Sequence, residues 1–221
     1  VEDFNPWCWR FDSEEDTRAA LLKAAGDKKL TRIIIGLRGY KKAGKDTVAA
    51  MAEKCERLAF ADKLKEITRE LFGLTWDQLN DQDLKEQVDA SWGVTPRFIL
   101  QRLGGDIARA IHGDVWIRVI QRYIDQNDGL WPSMFELDVP AFIITDMRYI
   151  NEAEAIKSWG GYLVELKRPG TGGDNHPSET ELDGYKFDYT IDNDGTKEDL
   201  KRKVDDMLMA VRQRHEKKWL G

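Results

Sequence analysis

The sequence predicts a three-layer α/β protein, a parallel sheet with helices on both faces, and three observations point there. Short, continuously apolar runs such as Ile33, Ile34, Ile35 and Phe142 to Thr145 suit strands buried on both sides. These runs alternate with segments of helical periodicity, the pattern of strand-helix-strand units. The first run also passes through the glycine-bounded stretch "GYKKAGKDT" into a helix, which is the order in which a phosphate-holding loop joins strand to helix.

Residues 1–30 read as an N-terminal extension of unknown role. Trp7, Cys8 and Trp9 show no clear periodicity, and Ser13 then caps a helix that runs through Ala25 and stops at Gly26. The remainder, 31–221, reads as one domain. Its first strand begins at Ile33, a helix covers about Lys45 to Lys54, and a short strand lies at Arg57 to Phe60. Residues 62–135 are mostly helical, with Leu64, Ile67 and Leu71 on one apolar stripe and Ile99, Leu103, Ile107 and Ile111 on another. After the strand ending at Thr145, a helix over Asn151 to Trp159 stops at Gly160 and Gly161, and "YLVELKR" forms the next strand. Residues 168–186 are glycine-rich and polar, the composition of a mobile lid. "YTIDNDG" supplies a last short strand, and Leu200, Val204, Leu208 and Val211 define a closing amphipathic helix.

Composition narrows the function. The 221 residues, 41% hydrophobic and 33% charged, suit one sizeable domain. No apolar run reaches the roughly 18 residues of a membrane span, and no secretory signal is evident. The two cysteines, Cys8 and Cys55, and three histidines have no zinc or redox spacing. A cytoplasmic setting without membrane association is expected. The net charge of −6 argues against nucleic acid as a partner. Any anionic ligand must then meet a local concentration of positive charge.

The Gly39 loop offers one. It reads G-x-x-x-x-G-K, but Asp46 follows the lysine and Thr47 comes one place late. Gly39 and Gly44 allow the backbone to turn its N–H groups inward, the next helix presents its positive end, and Lys45 can reach terminal phosphates. Arg38, Lys41, Lys42 and Lys45 supply charge. The bland alternative is a glycine-rich turn with solvated lysines. Asp46 sits in a helix's first turn, where a carboxylate is favoured in any case, or it orders phosphate and metal.

Two further constellations carry chemistry. Asp146, at the carboxyl end of a buried strand, can bind Mg²⁺ or its water, and Arg148 can neutralise a transferring phosphoryl group; alternatively Asp146 caps a helix and Arg148 is solvated. Arg102, Asp106 and Arg109 fall on one helical face, either as a surface ladder or as two arginines preset for a monophosphate. Gly104 and Gly105 within that helix favour some close approach of ligand or backbone.

Taken in order, "GYKKAGKDT", "FADKLKE", "LQRLGGDIAR" with Trp116, "IITDMRYINEAEAI", "GGYLVELKRPG", "HPSETEL" and "IDNDGTKEDL" resemble the phage-type deoxynucleoside monophosphate kinases, a branch of the P-loop nucleoside monophosphate kinase fold. The resemblance runs from about Arg32 to the C-terminal helix. It implies that Lys45 and the backbone from Gly39 through Lys41, Ala43 and Gly44 to Thr47 hold the triphosphate of ATP, with Asp46, Thr47 and Asp146 on the Mg²⁺ side. It implies that Asp62, Lys65, Gln101, Arg102 and Arg109 receive the acceptor together with Asp146 and Arg148. It places Arg148 and Arg168 around the transferring group, His176 and Glu179 in the lid, and Asn193 and Gly195 beside the donor base. The implied reaction is ATP-dependent phosphorylation of deoxynucleoside 5′-monophosphates, catalysed through Lys45, Asp46, Arg148 and Arg168, with small-molecule substrates, no nucleic acid and a homodimer left open. The competing readings are a kinase for another phosphorylated acceptor, phosphomevalonate-like or dephospho-coenzyme A-like, and a nucleotide-binding regulator without transfer.

Overall fold

The computed structural model describes residues 32–127, 141–172 and 180–220. The expected N-terminal helix, His176, Glu179 and the end of the 62–135 region lie outside the described residues. Strands β1 (Ile33–Arg38), β2 (Cys55–Leu58), β3 (Ala141–Ile144), β4 (Tyr162–Lys167) and β5 (Tyr189–Asp192) form one sheet in the order β2-β3-β1-β4-β5. Every pairing is parallel, with Ile33 opposite Ala141, Ile35 opposite Tyr162, Cys55 opposite Ala141 and Val164 opposite Tyr189.

Alternation along the strands divides the core. Ile33, Ile35 and Leu37 face the same side as Ala141, Ile143, Val164 and Ile191, against helix α1 (Lys45–Met51) and the closing helix α8 (Lys197–Leu220). Ile34, Phe142, Ile144 and Leu163 face the other side, against α2 (Phe60–Phe72), α6 (Val115–Asn127) and α7 (Ile150–Ser158). Burial on both sides explains why these strands read as unbroken apolar runs. A smaller cluster of Leu74, Leu79 and Ile99 holds an acceptor-side arm made of α3 (Trp76–Asn80), a 3₁₀ turn (Leu84–Glu86), α4 (Pro96–Gln101), a π-helical segment (Arg102–Ile107) and α5 (Ala108–Ile111).

Three expectations change here. The second strand ends at Leu58, because Phe60 already starts α2. In α2 the buried line is Phe60, Leu64 and Thr68, whereas Ile67 and Leu71 are exposed. The expected stripe from Ile99 to Ile111 breaks after Leu103, leaving Ile107 55% and Ile111 80% exposed. The cause is the π-helical segment, whose i→i+5 pairing rotates every later side chain off the α-helical register. Gly104 explains why the arm tolerates a glycine there: a Cβ would come within 2.4 Å of Leu64 Cδ2, and Trp116 donates to the Gly104 carbonyl at 3.0 Å. The close approach is therefore by the neighbouring helix.

The crossover from β1 runs toward β2 on one face, and that from β3 runs toward β4 on the other. A crevice opens beyond the carboxyl ends of the strands at such a reversal. The segments leaving β1, β2, β3, β4 and β5 at that end contain, respectively, Gly39 to Lys45, Asp62, Asp146 with Arg148, Arg168 and Asn193.

Candidate active site

The loop after β1 is held open by its own backbone and by two neighbours. Lys42 and Gly44 both lie at positive φ, 65° and 103°, and Gly44 is the N-cap of α1. A Cβ at Gly39 would sit 2.8 Å from the Leu166 carbonyl, and one at Gly44 2.8 Å from Asn193 Nδ2, so neither position has room for a side chain. Ala43 is fully buried; its N–H reaches the Tyr40 carbonyl at 3.1 Å and its carbonyl accepts from Asn193 Nδ2 at 2.8 Å. Asn193 is in turn fixed by its own N–H on the Lys167 carbonyl, 2.7 Å away. Arg168 Nη1 touches the Lys42 carbonyl at 3.4 Å, on the loop's rim. The residue expected beside the donor base thus buttresses the loop. Gly195 is placed by a different need, since a Cβ there would strike Asp199, which accepts from Thr196 N as α8 begins.

Lys45 Nζ folds back on its own loop, donating to the Gly39 and Tyr40 carbonyls, the latter at 3.0 Å. Those are neutral acceptors that a polyphosphate can replace with charged ones. Arg38 does not join this cluster. It is buried, pairs with Glu165 at 2.8 Å and with Asp183, and lies 4.2 Å from the Tyr40 ring centroid, so its charge is spent inside the fold. The loop's available cations are Lys41, Lys42 and Lys45. Asp46 points outward with its side chain 88% exposed, and Arg57 stands between it and Asp62, 3.8 Å from the first and 2.9 Å from the second. Thr47 is half-buried on the same turn.

Asp146 accepts the N–H groups of Phe60 and Ala61 at 2.8 and 2.9 Å, one on each carboxylate oxygen. It therefore anchors the start of α2, satisfying donors that a helix N-terminus leaves open. Burial pushes its carboxyl upward, and the two amide donors pull against that. No cluster of three or more metal-ligating side chains occurs among the described residues.

On the acceptor side, the expected pairing of Arg102 and Arg109 through Asp106 is not formed, because the π-helical segment turns them apart. Arg102 meets Asp106 at 2.5 Å in solvent, while Arg109 reaches Glu152 at 3.0 Å and covers the Tyr149 ring at 4.3 Å. Gln101 is exposed beside them. Lys65 donates to Asn80 Oδ1 at 2.9 Å. The residue that sequence reading missed is Lys85, on the 3₁₀ turn. Its ammonium is half-buried and lowered from 10.5 to about 8, by burial first and then by Lys65, Arg97, Lys41 and Arg148. No ion pair reaches it among the described residues. Arg97 itself is oriented by Glu86 and by Gln82, 3.2 Å away. Positive charge from the loop after β1, from α2, from α4 and from the segment after β3 thus acts on Lys85. Nothing local in "DLKEQVD" signals this, since the charges that act on Lys85 belong to other elements.

A parallel sheet with a glycine-bounded strand-to-helix loop and a lysine at the helix start defines a phosphate-binding α/β protein of the P-loop type. The family model described as deoxynucleotide monophosphate kinase matches residues 75–204. A protein of Acanthamoeba polyphaga mimivirus, provisionally named deoxynucleotide monophosphate kinase, is 36% identical over 179 residues, covering 76% of this chain and 92% of the relative. The deoxynucleotide monophosphate kinase of Escherichia phage RB69 is 26% identical over 124 residues, 55% of this chain and 47% of the phage protein. Among solved structures, dephospho-CoA kinase from Campylobacter jejuni aligns with a TM-score of 0.47 at 11% identity, covering 83% of this chain and 99% of that one. The chain belongs to the deoxynucleotide monophosphate kinase family and is a phosphotransferase. The family match begins after the Gly39 loop, so the donor site rests on the loop's own geometry.

Proposed function

We propose that the protein transfers the γ-phosphoryl group of ATP to the 5′-phosphate of a deoxynucleoside monophosphate, giving the diphosphate. The observation that carries this reading is the convergence on Lys85. A half-buried ammonium that no ion pair reaches among the described residues, and that Lys65, Arg97, Lys41 and Arg148 disfavour electrostatically, is relieved when an anion enters. Lys41 belongs to the donor loop, Lys65 to α2, and Lys85 and Arg97 to the acceptor arm, so in this reading an anion there lies between the two sites. Arg148, in the segment after β3, is read as serving both.

The acceptor phosphate is already ionised, so the work is alignment, charge neutralisation and exclusion of water. Lys45 leaves the Gly39 and Tyr40 carbonyls for the donor's terminal phosphates. Asp46 and Thr47 are the residues that would hold Mg²⁺, which supplies neutralising charge on the phosphate oxygens when bound. Asp146 acts by fixing the start of α2, and so the placement of Asp62 and Lys65. Arg168 holds the rim of the loop; of the expected lid at 168–186, residues 173–179 lie outside the described residues, and Leu182 and Asp183 are tied to the core. Arg102, Arg109 and Gln101 border the acceptor side. In this reading the partners are small molecules, with neither nucleic acid nor membrane, and the setting is cytoplasmic.

The test is an acceptor panel assayed with ATP and Mg²⁺, comprising the deoxynucleoside monophosphates, their ribose counterparts, phosphomevalonate and dephospho-coenzyme A. ADP release that depends on a deoxynucleoside monophosphate is the expected result. Transfer only to one of the other acceptors, or none to any, would overturn the proposal.

A further inference from the structure

Glu152 performs two tasks with its two oxygens. The residue is 2% exposed, in the first turn of α7. One oxygen, Oε2, turns back to accept the backbone N–H groups of Arg148 and Tyr149 at 2.8 and 3.1 Å. The other, Oε1, accepts from Arg109 Nη2 at 3.0 Å, across 43 residues of sequence. Arg109 lies over the ring of Tyr149, so the arm is pressed against the same turn that the carboxylate organises.

The first task alone does not require a charge. A capping box is as well served by Gln as by Glu, and it ordinarily sits in solvent. Here the carboxylate is buried, and that burial pushes it up to about 7, against the two backbone donors and Arg109. Replacing a buried ion pair by apolar groups is often neutral or stabilising, so such a pair is better evidence of a specified geometry than of stability. The two ends it joins are the segment presenting Arg148 and the arm presenting Lys85 and Arg97. A second tie from α7, Asn151 Nδ2 to Asp114 Oδ1 at 2.9 Å, reaches the turn between α5 and α6.

We propose that Glu152 is a positioning residue for phosphoryl transfer, holding the acceptor arm through Arg109 at a fixed offset from the backbone of Arg148. This inference rests on the functional reading above. Arg109, in consequence, acts on the acceptor by placing the arm. The residue is not legible as such from sequence, where Glu152 is one of two glutamates in "INEAEAI".

The Glu152→Gln variant separates the two tasks, because the amide oxygen still accepts the Arg148 and Tyr149 N–H groups while the Arg109 arm is lost. The expected result is an acceptor KM raised by about tenfold, the size of one lost charge-assisted contact, with kcat and the KM for ATP within about twofold of wild type. Adding Arg109→Met to Glu152→Gln should raise the acceptor KM no further than Arg109→Met does alone. An unchanged acceptor KM with a lowered Tm would overturn the proposal, leaving Glu152 a purely structural residue, and so would additive effects of the two substitutions. If Glu152→Gln does not fold, Arg109→Lys keeps the charge but loses the fork and is read in the same way. Hydrogen exchange provides a measure that needs no turnover. Amides of Ala108 to His112 should lose protection in Glu152→Gln while the sheet keeps its own, and unchanged protection would also overturn the proposal. Absence of transfer by the wild type would instead count against the functional reading, with the exchange result still deciding this one.

Discussion

Replacing Lys85 by Met should make the protein more stable and a poorer enzyme. The lysine is held from 10.5 down to about 8, which as a full value corresponds to roughly 3 kcal/mol in favour of the neutral form. Water and salt reach a half-buried ammonium, so a realistic penalty in the folded state is about 1 kcal/mol. Methionine keeps the length and removes the charge, and a gain of that size raises Tm by about 2–4 °C in a chain of this length. The sign of the pH dependence follows from the depressed value. The wild type is penalised throughout the range below about 8, and its stability rises between about 8 and 10.5 as the folded lysine loses its proton before the unfolded one does. Lys85→Met should lack that rise. Urea unfolding at a pH below 8 and at one well above it measures both effects. The acceptor KM, measured in parallel, should rise by about tenfold or more, since a charge-assisted contact to phosphate is lost. A lower Tm for Lys85→Met, or an unchanged acceptor KM, would refute the reasoning that this cluster is built for an anion.

Binding of the acceptor should take up protons at and above about pH 8 and weaken as pH rises through that value, because the phosphate restores Lys85 toward its ordinary range; calorimetry in buffers of different ionisation enthalpy reads the uptake directly. Lys45→Ala and Arg148→Ala should each lower kcat by about a hundredfold or more, as loss of an electrostatic donor to a transition state does, with circular dichroism unchanged. Asn193→Ala removes the 2.8 Å support of the Ala43 carbonyl and should raise the KM for ATP severalfold, while lowering stability by about 1 kcal/mol; an unaltered ATP KM would show that this support does not shape the donor site. Asp46→Asn should weaken the dependence on Mg²⁺, and an identical Mg²⁺ titration would leave Asp46 as a helix-start residue only.

What the sequence discloses and what it hides divide along physical lines. β1, β3 and β4 were legible because burial on both faces leaves unbroken apolar runs, and the Gly39 loop because its glycines are demanded by backbone angles and by contacts with Leu166 and Asn193. Family membership was legible from short motifs spread along the chain. The acceptor side was not. A single π-helical segment at Arg102–Ile107 turned an apparent arginine pair into two unrelated contacts. Arg38 counted as a loop cation by position, yet it lies in a strand whose inward face meets Glu165 and Asp183. Asp146 was placed correctly at a strand end, but its two partners come from α2, a helix 85 residues earlier in the chain. Lys85 and Glu152 owe their character to burial and to charges from distant elements, and neither quantity is written in the local sequence.

Transfer of labelled γ-phosphate from ATP to a deoxynucleoside monophosphate is the most direct measurement of the central claim. The account predicts labelled deoxynucleoside diphosphate with the wild type, and a marked loss of it at low acceptor concentration with Lys85→Met that saturating acceptor largely restores. Label released only as inorganic phosphate, or transfer by Lys85→Met indistinguishable from wild type at every acceptor concentration, would contradict it.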